Sequence, residues 1–84
     1  MSALEIPTQC DNEEQARACL AWFVDTLGLG FHPDTRGADY VNRDGSRVFN
    51  DAQADAVDAL LDRIFDHVDP YDAGMEAMRK QGLI

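Results

Sequence analysis

The sequence predicts a small α+β domain in the order α-β-β-α-α, its two strands paired as a short antiparallel hairpin packed on helices. Three observations predict it. Two segments carry apolar residues at helical spacing. A Gly-containing turn lies between short arms that suit strands. An Asp-Pro pair then marks the start of one more helix. The length of 84 residues allows a single domain, 1–84, with one modest core.

Residues 1–10 read as an extended lead-in, because Pro7 argues against helix there. Asp11 followed by Glu14 has the spacing of a capping box, with Asp in place of Ser or Thr. Glu13 and Glu14 suit a first helical turn. Ala16, Cys19, Leu20, Phe23 and Leu27 then form an apolar stripe, widened by Trp22 and Val24, and Gly28 is the expected left-handed cap. The first helix is expected over about 12–27.

Gly and Pro content makes 29–37 a loop, pinned to the core by Leu29 and Phe31. Asp39–Asn42 and Ser46–Phe49 are candidate strands around Arg43-Asp44-Gly45, a hairpin turn with Gly at the left-handed position. Such a hairpin needs a helix packed on it. Asn50 with Gln53 is a second capping box, and helix two is expected over about 51–67. Val57, Leu60, Leu61, Ile64, Phe65 and Val68 form its core side. Asp69-Pro70 starts helix three, about 70–81, with Tyr71, Met75 and Met78 inward and Gly82 as its stop. Phe23, Leu27, Leu60, Leu61, Ile64 and Phe65 are expected to be buried together.

Helix two carries the one feature beyond a generic small domain. Asp51, Asp55, Asp58, Asp62, Asp66 and Asp69 recur at steps of four and three, which is the helical repeat. Like charges at that spacing cost roughly 0.2–0.5 kcal/mol per pair, so the row costs roughly 1–2 kcal/mol. A face needed only for solubility is met more cheaply by Glu and Lys pairs. A solvated face, a salt-adapted surface and a functional stripe all fit the pattern.

The formal net charge is −9, and residues 51–72 hold seven Asp and one Arg, or −6 of it. So acidic a chain does not seek nucleic acid or an anionic membrane; it is drawn to a basic partner. The start of the chain lacks the basic residues and apolar run of a signal peptide, and no stretch approaches membrane-spanning length. Cys10 and Cys19 are not at a close metal-ligand spacing, and reduced thiols in a cytoplasm are the default.

Enzyme chemistry finds no support. Asn42-x-Asp44-Gly45 with Asp51 invites a calcium-loop reading, yet Tyr40 stands where an acid is needed, Asp51 where a bidentate Glu is needed, and Arg47 lies inside. His32-Pro33-Asp34 offers a base beside an acid but no nucleophile. His67, near the end of helix two, suits the helix dipole. No phosphate-binding Gly motif occurs, and neither cofactor nor metal is expected. Trp22 lies to one side of the first stripe. It is either core or an exposed anchor for a protein partner, and the second option defines the alternative function: an adaptor with an apolar patch.

Small size, strong acidity and a charged helix together resemble the DNA-mimic inhibitors of phages and mobile elements, anti-CRISPR proteins among them. The stretch Leu27-Gly28-Leu29-Gly30-Phe31-His32-Pro33-Asp34-Thr35 is similar to segments of short phage or prophage proteins. The resemblance implies a non-enzymatic blocker of a basic nucleic-acid-binding protein, such as a CRISPR effector complex, acting in the host cytoplasm. That group shares no common motif, so no residue role transfers. The stripe itself supplies the candidate contacts: six carboxylates over 51–69 span about 27 Å, or about one charge per 5 Å. One DNA strand presents a charge per about 3.4 Å. Asp11, Glu13, Glu14, Asp72 and Glu76 are candidates to extend the surface.

Overall fold

The structure, a computed structural model, describes residues 5–84. Three α-helices enclose the core: α1, Glu13–Leu27; α2, Asp51–Phe65; and α3, Pro70–Lys80. Between α1 and α2 lie two single 3-10 turns, Gly28–Gly30 and Gly37–Asp39. The domain is all-α, which corrects the expected α+β class. Among the described residues there is no sheet, only the isolated antiparallel bridge Val41–Arg47.

The reason is space. The expected turn forms: the Asn42 N–H donates to Ser46 O at 2.7 Å, and the Gly45 N–H to Asn42 O at 3.0 Å. Its arms cannot lengthen. Asp39 ends a 3-10 turn on one side, and Asn50 caps α2 on the other. Two arms so short make no stable ribbon alone. They serve instead to bury Tyr40 and Phe49.

The helices start and stop for local reasons. Asn12, not Asp11, caps α1: its Oδ1 accepts the Gln15 N–H at 2.8 Å, while Gln15 Oε1 accepts the Asp11 N–H at 2.8 Å. The expected cap is one residue off because Asn and Asp stand side by side, and both serve as caps. Gly28, with φ +59°, ends α1. At α2 the capping box of Asn50 and Gln53 is complete. Asp69 caps α3 and Pro70 opens it. Gly82, with φ +76°, closes α3: its N–H donates to Arg79 O at 3.1 Å and that of Leu83 to Met78 O at 2.9 Å. This is a Schellman ending, and the left-handed position suits Gly. The lead-in expected over 1–10 has no helix or strand over 5–10, and its first four residues lie outside those described.

Leu20, Phe23 and Val24 of α1 meet Val57, Leu60, Leu61 and Ile64 of α2, with Phe31, Tyr40 and Phe49 filling between. Phe23 and Phe31 stack with centroids 5.4 Å apart. Leu29 is exposed, so of the two expected anchors only Phe31 reaches the core. Phe65, expected in the core, is 43% exposed at the last turn of α2, and Leu27 is half-buried. On α3 the inward face is the small-residue one: Pro70, Ala73 and Gly74 are buried, whereas Tyr71 and Met75 are about half exposed and Met78 half-buried. Small residues win because α3 lies close on the core; a Cβ on Gly74 would come within 3.3 Å of the Phe31 ring.

Gly37 is the tightest point. A Cβ there would lie 2.8 Å from Ala54 Cα and 2.9 Å from Ala54 O, backbone atoms of α2 that cannot rotate aside. Gly37→Ala is therefore expected to lose about 1–3 kcal/mol in urea denaturation, the usual cost of overpacking. Gly30→Ala is the control, since nothing lies within 4 Å of its Cβ position. Equal stability of the two variants would refute the close approach.

Candidate functional site

The outer side of α2 holds the acidic row, and the structure divides it. Only Asp51, Asp55, Asp58 and Asp62 lie on the helix. Asp66 is its C-terminal cap, and Asp69 belongs to the next helix start. The straight row is thus Asp51 to Asp62, about 17 Å long at 1.5 Å per residue, not the 27 Å of an unbroken helix. The chain turns at Asp66–Val68, and the Asp69-Pro70 signal takes the sixth acid for a cap.

Four of the six acids have partners within the fold. The Arg47 guanidinium contacts Asp51 at 2.6 Å, and that of Arg36 lies 3.7 Å from Asp62; all four side chains are exposed. Asp51 also stands in the first turn of α2, where the dipole favours it. Asp58 is half-buried, and its Oδ1 accepts the N–H of buried Gly37 at 2.8 Å. It holds the 3-10 turn onto α2 at the same contact where Gly37 meets Ala54. Asp69 accepts the Tyr71 N–H at 3.0 Å as the cap of α3. Asp55 and Asp66 are exposed and have no ion-pair partner among the described residues. Asp66 sits at the end of α2 where the dipole disfavours an acid.

Arg63, the one base in this run of acids, turns away from them. It donates to Thr8 O at 2.8 Å, Cys10 O at 3.2 Å and Asp11 at 2.7 Å, tying the lead-in to α2. Nothing in the sequence pattern marks that clamp, because its acceptors are mostly backbone carbonyls more than fifty residues away. The other acids proposed as extensions are divided too. Asp11 pairs with Arg63, Glu13 with Arg17, and Glu76 with Arg17 and Lys80. The neighbouring bases hold the Glu76 carboxyl below its usual range, Lys80 most strongly. Glu14 and Asp72 are exposed.

Trp22 is not an exposed anchor. It is half-buried, edge-on to Phe23 at 5.0 Å and tilted against Phe49 at 6.5 Å. Asp44, weighed as a calcium ligand, instead braces its turn by accepting the Ser46 N–H at 2.9 Å and hydroxyl at 2.6 Å, which lowers its pKa. His32 Nδ1 accepts the Asp34 N–H at 3.2 Å, and Asp34 accepts the Tyr71 hydroxyl at 2.5 Å. That bond raises the Tyr71 pKa. These contacts fasten the loop to α3. Among the described residues no three of His, Cys, Asp and Glu converge as a metal site.

No protein family, curated protein or solved structure matches the chain. No helix is long and apolar enough to cross a membrane among the described residues.

Proposed function

We propose that this protein is a non-catalytic inhibitor that places the acidic side of α2 in a basic, nucleic-acid-binding groove of another protein. The candidate target is a CRISPR effector complex in a host cytoplasm. One observation carries the reading: the protein pairs most of its own bases internally and directs carboxylates outward. Arg17, Arg36, Arg47, Arg63 and Lys80 all contact acids of the same chain. Along α2, Asp55 and Asp66 stay exposed without an ion pair among the described residues, flanked by Asp51 and Asp62 in exposed pairs. Exposed pairs are worth only about 0–1 kcal/mol, so Arg36 and Arg47 are displaceable by guanidinium groups of a phosphate-binding channel. Asp58 and Asp69 are the scaffold of the surface, not its contacts.

The test is competition. A panel of purified CRISPR effector complexes is mixed with labelled target DNA, with and without excess protein, and DNA binding is read by mobility shift. Loss of binding by one complex at low salt, and its recovery as the Debye length falls below about 8 Å, is the expected outcome. A panel unaffected at low salt rejects the target; inhibition insensitive to salt rejects the acidic mechanism and favours an apolar contact.

A further inference from the structure

We infer that Cys10 and Cys19 are a dithiol–disulfide pair, oxidised within the fold by a small disulfide of the glutathione type, which straps the lead-in to α1. Both side chains are buried in the core cluster, at 1% and 2% exposure. Both are free thiols. The Cys19 thiol donates to Gln9 O at 3.3 Å, and that carbonyl carbon is bonded to the amide nitrogen of Cys10. The Cys19 sulfur therefore lies against the backbone that carries Cys10. The two thiols are also close enough for each to act on the other's ionisation.

The surroundings suit bond formation. Arg63 holds the carbonyls of Thr8 and Cys10, which fixes the backbone around Cys10. Cys10 lies outside any helix or strand, so its side chain can turn without breaking a ladder. Cys19 is fixed on the second turn of α1. A hollow of about 370 Å³, lined by Pro7, Thr8, Gln9, Gln15, Ala18 and Cys19, gives a small reagent its approach. Burial raises the pKa of both thiols, which keeps the thiolate fraction small at neutral pH and makes the exchange slow.

Exchange proceeds in two steps. The Cys19 thiol loses its proton to solvent, and its thiolate attacks one sulfur of the small disulfide. An S–S bond forms to Cys19 as the reagent's own S–S bond breaks and one thiolate leaves. The Cys10 thiolate, its proton likewise lost, then attacks Cys19 Sγ and expels the second. Two protein thiols become one disulfide, the reagent becomes two thiols, and the departing thiolates take up the two protons. The product ties 5–10 to α1. Through Arg63 the same segment already holds α2, so oxidation locks the flank of the domain.

The test treats the native full chain with oxidised glutathione and reads intact mass, peptide maps and thermal melting. Expected is a monomer lighter by two hydrogens, with Cys10 linked to Cys19. Its melting temperature should rise by at least about 4 °C, because even a short cross-link restricts the unfolded chain. Reduction should restore the original melting curve. C10A and C19A should each stop at a single glutathione adduct or a free thiol. Two thiols that stay free in the folded wild type, a stable glutathione adduct, or a disulfide between two chains would each overturn the inference. A disulfide that leaves the melting temperature unchanged or lower would overturn it as well, since the bond would not fit the native fold.

Discussion

Phe49→Ala is expected to lower stability by about 3–5 kcal/mol, the range for deleting a buried Phe ring. Phe49 is fully buried, edge-on to Tyr40 at 6.1 Å and tilted against Trp22 at 6.5 Å. It is also the residue just before Asn50, the cap of α2. Its ring thus joins the long irregular connection to both α1 and α2. A domain of this length has roughly 4–13 kcal/mol in total at about 0.05–0.15 kcal/mol per residue. The variant should sit near or beyond its unfolding threshold. Phe49→Leu keeps most of the apolar volume and should cost less than half as much. Urea denaturation followed by far-UV circular dichroism gives the loss, and Trp22 fluorescence reports the same site directly. A loss below about 1 kcal/mol would show that the ring does not fill the core as described.

The helices were legible because their signals are local. Asn50 with Gln53, Asp69 with Pro70, and the periodic Val57, Leu60, Leu61 and Ile64 all act within one or two turns, and the structure keeps each. Phe49 was legible only as a strand residue. Its burial depends on where the connection crosses the helices, which no period records. The hairpin failed for a related reason. Its turn chemistry is right, but whether arms extend depends on the neighbours, and the Gly37–Asp39 turn and the Asn50 cap claim both ends. The sequence points to Tyr71, Met75 and Met78 as the inward residues of α3. The fold instead selected Ala73 and Gly74, because a close helix crossing needs small residues.

The acidic row was legible as a pattern but not as a surface. Spacing places Asp58 beside Asp55 and Asp62 as an equal. It cannot show that Gly37, twenty-one residues earlier, donates its N–H to Asp58. Nor can it show Arg36 and Arg47 reaching in from the connection. Long-range partners such as these convert part of a charge stripe into scaffold. The energetic cost of the row is correspondingly less than the repulsion between bare carboxylates, since two opposite charges stand among them.

That division decides how the proposed interface should be tested. Asp51, Asp55, Asp62 and Asp66 are to be replaced by Asn together, leaving Asp58 and Asp69 to hold the fold. The folded state should survive, since relief of repulsion offsets the two exposed pairs lost, each worth about 0–1 kcal/mol. Inhibition of the effector complex should weaken by about 100-fold or more, because each charge-assisted contact contributes roughly 1–3 kcal/mol. The converse variant, Arg36→Ala with Arg47→Ala, uncovers Asp62 and Asp51. It should tighten binding a few-fold at low salt and lose that gain as salt rises. Removing Asp58 with its neighbours would confuse the two effects: Asp58→Ala leaves the buried Gly37 N–H without its acceptor, a cost of about 1–3 kcal/mol in stability. Charge recognition therefore predicts opposite shifts from the Asn and Arg variants at unchanged melting temperature, whereas a merely solvated face predicts no shift from either. If the fourfold Asn protein still blocks DNA binding as the wild type does at low salt, α2 is a wet surface and the inhibitor reading falls.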